Sequence, residues 1–254
     1  IMNYDAFMEP LTWFLTGMEK HSDSYNASLY GDGVSFFRSM FYHMSRMQTQ
    51  SALISMNELS NHDHSRFMTR TNRTVGRLAS MGAAAASEGI HPEVYREAVL
   101  VQMTWPGAPT LYYGDEAGLC GWTDPDNRRT YPWGREDQEL IQYHRDIIAI
   151  HKAETALMRG SLKYLHGGFK VICYGRFTDT EKMIVLINAG FDEARVKISV
   201  WEVGVTDDED MVEVIMSNEE GYTMEKRVHP VTSGVLDITL PRVSSILLKS
   251  IKKS

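Results

Sequence analysis

Asn57-Glu58-Leu59-Ser60-Asn61-His62-Asp63-His64-Ser65-Arg66 is the stretch from which the rest of the chain is read. It follows a short apolar run, Ala52–Met56, of the length of a buried strand, so a strand is predicted over Ala52–Asn57. Asn61-His62-Asp63 then sets an imidazole and a carboxylate at the carboxyl end of that strand. In an α/β barrel this is the end that carries chemistry. The same residues also suit a polar turn closed by Asn and Asp. Taken alone, the stretch leaves both readings open.

Upstream, residues 1–7 read as a strand end running into a loop, and Thr12–Glu19 as a short helix. Val34, Phe37, Phe41 and Met44 keep helical spacing, which predicts a helix over Val34–Gln48 with Asp32 as N-cap. Downstream, Val75, Leu78, Met81 and Ala85 suggest one face of a helix over Arg73–Ser87, ended at Gly89. A further helix begins at Pro92 and runs to Thr104. Ala108–Tyr113 reads as a second buried strand, and Cys120–Glu136 as a long loop. Asp137–Lys152 reads as a helix with Leu140, Tyr143, Ile147 and Ile150 on its inner face. After Gly160 the apolar period falls to two, in runs at 170–177, 182–188, 195–200, 235–240 and 244–250. The acidic run Asp207–Asp210 reads as a solvated loop. The fold class is therefore α/β plus all-β: strands alternate with helices over 1–157, and a β-sandwich occupies 158–254.

The chain has 254 residues, 43% hydrophobic and 23% charged, an ordinary globular composition. A net charge of −7 argues against a general nucleic-acid binder and leaves neutral ligands open. Cys120 and Cys173 make no disulfide framework. No apolar run approaches the ~20 residues that span a bilayer, so no membrane partner is expected. The fifteen methionines read as core filler. The opening Ile-Met-Asn-Tyr has neither an initiator Met nor a signal-peptide pattern, and reads as the interior of a longer protein.

Four segments occur in a particular order: Met2-Asn3-Tyr4; Asn61-His62-Asp63 with Arg66; Tyr112-Tyr113-Gly114-Asp115-Glu116 with Gly118; and Asp124-Pro125-Asp126-Asn127-Arg128-Arg129 with Pro132-Trp133. As an ordered set they resemble the final third of the catalytic (β/α)8 TIM barrel of the α-amylase family of glycoside hydrolases. The similarity is greatest to its neopullulanase, cyclomaltodextrinase and maltogenic-amylase branch. The resemblance implies that residues 1–5, 52–57 and 108–113 are barrel strands six, seven and eight, and that 158–254 are the family's C-terminal β-domain. Strands one to five are then absent.

Retaining hydrolysis of a glycosidic bond needs two carboxyl groups ~5 Å apart. In the family these come from strands four and five, so the resemblance implies that this chain lacks the nucleophile and the acid and is inactive in isolation. It keeps Asp63, matching the third invariant carboxylate, which favours an oxocarbenium-like transition state, and His62, which donates to sugar hydroxyls. Asp124 and Arg128 match a segment that reaches the glycone side of the cleft; a local salt bridge is the equal alternative. Trp122 is a candidate sugar platform, and Tyr4 a residue bordering the cleft. Asp115, Glu116 and Arg66 are expected to be framework. Glu58 stands where relatives carry a large apolar residue, and reads either as an extra subsite contact or as a strand residue paired with a cation. His62-Asp63-His64 lacks the spacing of a zinc site. The family sometimes binds calcium, but no calcium site is identifiable in the sequence.

The implied function is part of a retaining glycosidase acting on α-glucosidic bonds of starch-derived glucans. The alternatives are an α-glucan transglycosylase and a non-catalytic carbohydrate-binding fragment. The partners implied are an α-glucan oligosaccharide and either the missing N-terminal barrel segment or a second copy of the chain, since an open barrel exposes strand edges. The family branch favours a cytoplasmic location, which the sequence itself does not indicate.

Overall fold

The computed structural model describes residues 1–253. Eight α-helical segments fall at Glu9–Thr16 (α1), Gly33–Met44 (α2), Thr49–Leu53 (α3), Phe67–Arg70 (α4), Leu78–Met81 (α5), Pro92–Thr104 (α6), Gln138–Ala153 (α7) and Thr155–Arg159 (α8). Among them lie two short strands, Met56–Glu58 (β1) and Ala108–Thr110 (β2), which pair in parallel. A bridge from Met2 to Met56 adds the opening residues to the other side of β1.

The helices that face the core have clear local causes. Asp32 caps α2, accepting from the amides of Val34 and Ser35 at 3.1 Å, and Asp137 caps α7 through Leu140 N at 2.9 Å. Pro92 opens α6. α7 buries Leu140, Tyr143, Ile147 and Ile150, the expected face. α2 turns Phe36, Phe37 and Met40 inward and leaves Val34 in solvent, so its buried stripe is rotated from the one expected. From α6, Gln102 donates to the carbonyls of Asn57 and Thr110 at 2.9 Å each and so locks the helix to both short strands.

Several local expectations are corrected. The strand expected over Ala108–Tyr113 is only Ala108–Thr110. The acidic run Asp207–Asp210, expected as a solvated loop, enters a strand at Glu209, whose buried carboxylate bonds Lys182. The strand expected over Ala52–Asn57 is only Met56–Glu58, because Thr49–Leu53 closes a helical turn, with Ala52 N bonded to Gln48 O at 2.9 Å. The opening residues pass from the Met2 bridge into a π-helical turn, Tyr4–Met8, that continues as α1; Gly17, at φ 77°, ends that helix well before Glu19. The long helix expected over Arg73–Ser87 is a single turn, α5, followed by a 3₁₀ turn at Ala84–Ser87. Gly82 at φ 76° separates them, and Val75, Leu78 and Met81 lie exposed. Alanine side chains bury too little area to hold a longer helix against the core.

From Ser161 onward the chain is antiparallel β: Ser161–Gly167 (β3), Val171–Phe177 (β4), Lys182–Asn188 (β5), Ala194–Ser199 (β6), Glu209–Asn218 (β7), Gly221–Thr223 (β8), Val228–His229 (β9), Val231–Thr232 (β10), Val235–Leu240 (β11) and Ser244–Lys252 (β12). The larger sheet runs β3-β4-β5-β12-β7-β8 with β9 on β7, and the smaller runs β10-β11-β6. Alternation assigns each face. Val171, Cys173, Ile184 and Leu186 pack toward the smaller sheet, while Ile172, Tyr174, Met183, Val185 and Ile187 join the core shared with the helices. Burial on both faces explains why Met183–Ile187 is an unbroken apolar run. The helices and the β-module thus share one continuous core. Among the described residues no helix is long and apolar enough to cross a membrane.

Candidate active-site cleft

The turn after β1 is built by Asn61. Its Oδ1 accepts from Asp63 N at 2.9 Å and His64 N at 3.1 Å, and its Nδ2 donates to Tyr4 Oη at 3.1 Å. Farther on, Phe67 N donates to Ser60 Oγ at 3.0 Å and closes the loop at its base. The side chains of His62 and Asp63 then stand half exposed, with Nε2 and Oδ1 3.4 Å apart.

A distant segment is fastened across this turn. Asn127 Nδ2 donates to the carbonyls of Asn61, at 2.9 Å, and His64, at 2.7 Å. Thr123 Oγ1 donates to Asp63 O at 2.6 Å, and Arg128 Nε to His62 O at 3.2 Å. These bonds bring Asp124 and Arg128 beside His62 and Asp63. The Asp124–Arg128 pair is itself closed at 2.6 Å, with both side chains half exposed. A half-exposed pair contributes little to stability, and its outer donors and acceptors remain open to a ligand.

Beneath the turn the groups are buried or half-buried. Tyr4 and His64 meet edge to face at 4.8 Å, and His64 meets His21 at 4.6 Å. Burial pushes the His64 imidazole down to about 3, with Arg70 and His21 adding to the effect, so it is neutral at pH 7. Tyr4 is pushed up, first by burial and then by the charges of Glu58 and Asp63. Glu58 is buried at the end of β1, and its Oε1 has no partner. Arg66 is fully buried; it bonds Asn127 O, Tyr113 O and Asp115, and stacks 4.0 Å from the centre of the Tyr112 ring.

Five of the six site residues expected from sequence, Tyr4, His62, Asp63, Asp124 and Arg128, lie on this turn and its fastened loop. Trp122 does not offer a sugar platform. Its indole is fully buried, with Nε1 donating to Gly82 O at 3.0 Å, so the large apolar ring is spent on packing and its one donor is satisfied inside. The exposed indole of the loop is Trp133, whose ring centre is 4.5 Å from that of Tyr131. Thr123, Asn127 and His21 hold the loop on the turn but were not expected from sequence. The turn-prone Asp-Pro-Asp-Asn run was the only cue to Asn127. Among the described residues no group of three or more His, Cys, Asp or Glu side chains is placed to hold a metal ion.

Comparison with known proteins places this geometry in context. The family profile described as "Alpha amylase, catalytic domain" matches residues 14–205. An amylopullulanase of Thermoanaerobacter thermohydrosulfuricus is 35% identical over 130 residues, covering 48% of this chain and 8% of that protein. Neopullulanase 2 of Thermoactinomyces vulgaris is 30% identical over 208 residues, covering 80% of this chain and 31% of that protein. Among solved structures, a debranching enzyme of Nostoc punctiforme superposes with a TM-score of 0.73 at 25% identity, covering 97% of this chain and 47% of that one. An Anoxybacillus α-amylase superposes with a TM-score of 0.74 at 19% identity, covering 100% of this chain and 47% of that one. The chain spans 8 to 13% of the amylopullulanases it matches, and less than half of these two solved chains.

Proposed function

Because the chain belongs to the alpha-amylase family, we propose that it forms the transition-state-stabilising side of a retaining glycosidase cleft for α-linked glucans such as maltooligosaccharides, cyclodextrins and pullulan. In this reading residues 1–157 are the last part of the catalytic barrel, with its strands six to eight at Met2, β1 and β2, and residues 158–254 are the C-terminal β-domain. The nucleophile and the acid belong to barrel strands outside these residues. Asp63 supplies a fixed anion near developing positive charge, and His62 donates to a sugar hydroxyl. Asp124 and Arg128 bind a sugar at the glycone side, and Tyr4 borders the cleft.

The observation that supports this best is the fastening of the Thr123–Arg128 loop over the Asn61–His64 turn. It gathers an anion, an imidazole and an open carboxylate–guanidinium pair on one surface. Such a set can contact several hydroxyls of one sugar at once. The names of the relatives, amylopullulanase, neopullulanase and cyclomaltodextrinase, support the choice of α-glucan.

The test is calorimetric titration of the chain with maltoheptaose and β-cyclodextrin, together with its native mass and products formed from starch and pullulan. We expect sugar binding that Asp63→Asn weakens about tenfold, the cost of one hydrogen bond to a charged group. Where a barrel-completing polypeptide travels with the chain, we expect turnover, with kcat lowered on the order of 10² by the same substitution. Products longer than the substrate favour the transglycosylase, and binding without turnover favours the carbohydrate-binding fragment. Neither binding nor turnover removes the reading.

A further inference from the structure

Among the described residues no cation lies within salt-bridge distance of Glu58. Cations of the surrounding loops are engaged elsewhere: His62 is set against Asp63, Arg66 bonds Asp115, and Arg128 bonds Asp124. Oε1 of Glu58 is buried without a hydrogen-bond partner, and the residue is 4% exposed. Too little of it is reachable for a sugar to touch it directly. Both readings left open by the sequence, a strand ion pair and a direct subsite contact, are therefore poor accounts of it.

Its place in the strand points elsewhere. Asn57, the neighbour of Glu58 within β1, turns to one face, where it accepts from Asn3 and donates to Pro106 O. Glu58 must project to the other face. At this end of the strand stand Tyr4, bonded to Asn61, the His62–Asp63 pair of the loop that follows β1, and Asp115, held by Arg66 after β2, and the charges of all four act on Glu58 or feel it.

We propose that Glu58 is a positioning residue of the cleft: a carboxylate held inside the fold whose charge is coupled to the Asn61–His62–Asp63 turn. Its role in sugar chemistry rests on the glycosidase reading, whereas the coupling does not. When ionised, Glu58 repels the oxygens of Asp63 and Tyr4 and adds negative potential under a site where positive charge would develop. When protonated, it contributes none of this. Burial pushes its carboxyl above the ordinary glutamate range, against the Asn61 side chain and His62, so the change comes at milder acidity than for a surface glutamate.

The test is a pH titration of the ¹⁵N-labelled chain, following the backbone amides of Asn61, His62 and Asp63 from pH 8 to pH 4. We expect one transition common to all three, centred above the ordinary glutamate value, that persists in Asp63→Asn and vanishes in both Glu58→Gln and Glu58→Leu. The amides of β4 and β5, unchanged, report that each variant is folded. Titration curves that are the same in wild type and both Glu58 variants overturn the proposal, as does a transition that only Asp63→Asn removes. The sugar arm is separate. A maltoheptaose affinity that falls through the same transition, and is flat with pH in Glu58→Gln, supports the role in the cleft. An intact amide transition with no sugar binding in any variant supports the coupling and overturns only the glycosidase reading.

Discussion

Arg66 Nη1 donates to Asp115 Oδ1 at 2.8 Å, with both side chains inside the protein. This pair ties the loop after β1 to the segment after β2, and the same guanidinium reaches Tyr113 O and Asn127 O. Removing the cation leaves the carboxylate and two carbonyls in a dry interior. Arg66→Met is expected to cost about 3–5 kcal/mol, the range for breaking one partner out of a buried pair. Urea unfolding of the chain checks this, and a loss under about 1 kcal/mol contradicts it.

The loop that carries Asp124 and Arg128 hangs on Asn127, whose amide serves two carbonyls at once. Asn127→Ala leaves both without a donor, at about 1–3 kcal/mol for the unsatisfied groups. Asn127→Asp is expected to be worse, since it sets a carboxylate against two carbonyl oxygens. Hydrogen exchange at the Asn61–His64 and Thr123–Arg128 amides should quicken in both variants, while exchange at β4 and β5 stays slow.

Two tryptophans of one loop should respond oppositely. Trp122 is fully buried and Trp133 is 79% exposed. Trp122→Ala opens a large cavity and is expected to cost about 3–5 kcal/mol. Trp133→Ala should stay within about 0.5 kcal/mol of wild type. Thermal melts of the two variants distinguish them, and equal losses would contradict the inward placement of Trp122.

Glu97, on the inner side of α6, has neither oxygen hydrogen-bonded. Burial pushes its carboxyl well above 4.5, with Glu93 adding and Arg73, Lys170 and Arg96 opposing. The folded-state value lies above the unfolded one, so folding carries no ionisation penalty below the unfolded value, and the penalty grows as pH rises toward the folded value. Glu97→Gln should therefore match wild type near pH 4 and exceed it at pH 8, by on the order of 1–3 kcal/mol. Urea midpoints at the two pH values check the sign. A variant less stable at pH 8 would show that Glu97 has a native partner in solution.

Much of this molecule was legible in the residues. Caps and a 3.6-residue period located α6 and α7 and most of α2. The two-residue period and the unbroken run at Met183–Ile187 marked the β-module. The ordered motifs identified the alpha-amylase family, whose fold is a TIM barrel followed by a C-terminal β-domain. These signals are local: a cap, a period or a motif is satisfied by residues a few positions apart, and sequence records it directly.

Other features were settled only when distant segments met. Arg73–Ser87 has a helical pattern, but no apolar surface comes to meet Val75, Leu78 and Met81, and the pattern yields only short turns. Trp122 reads like Trp133 along the chain, yet one indole is sealed inside and the other stands in solvent. The bonds joining Asn127 to Asn61 and His64 span 66 and 63 positions, and no local rule names their partners. The sequence by itself determined α6, α7, most of α2 and the β-module, and the family to which the chain belongs. The tertiary structure alone decided which side chains gather on the surface around His62 and Asp63, because burial and hydrogen-bond partnership belong to a neighbourhood in space that the order of residues does not record.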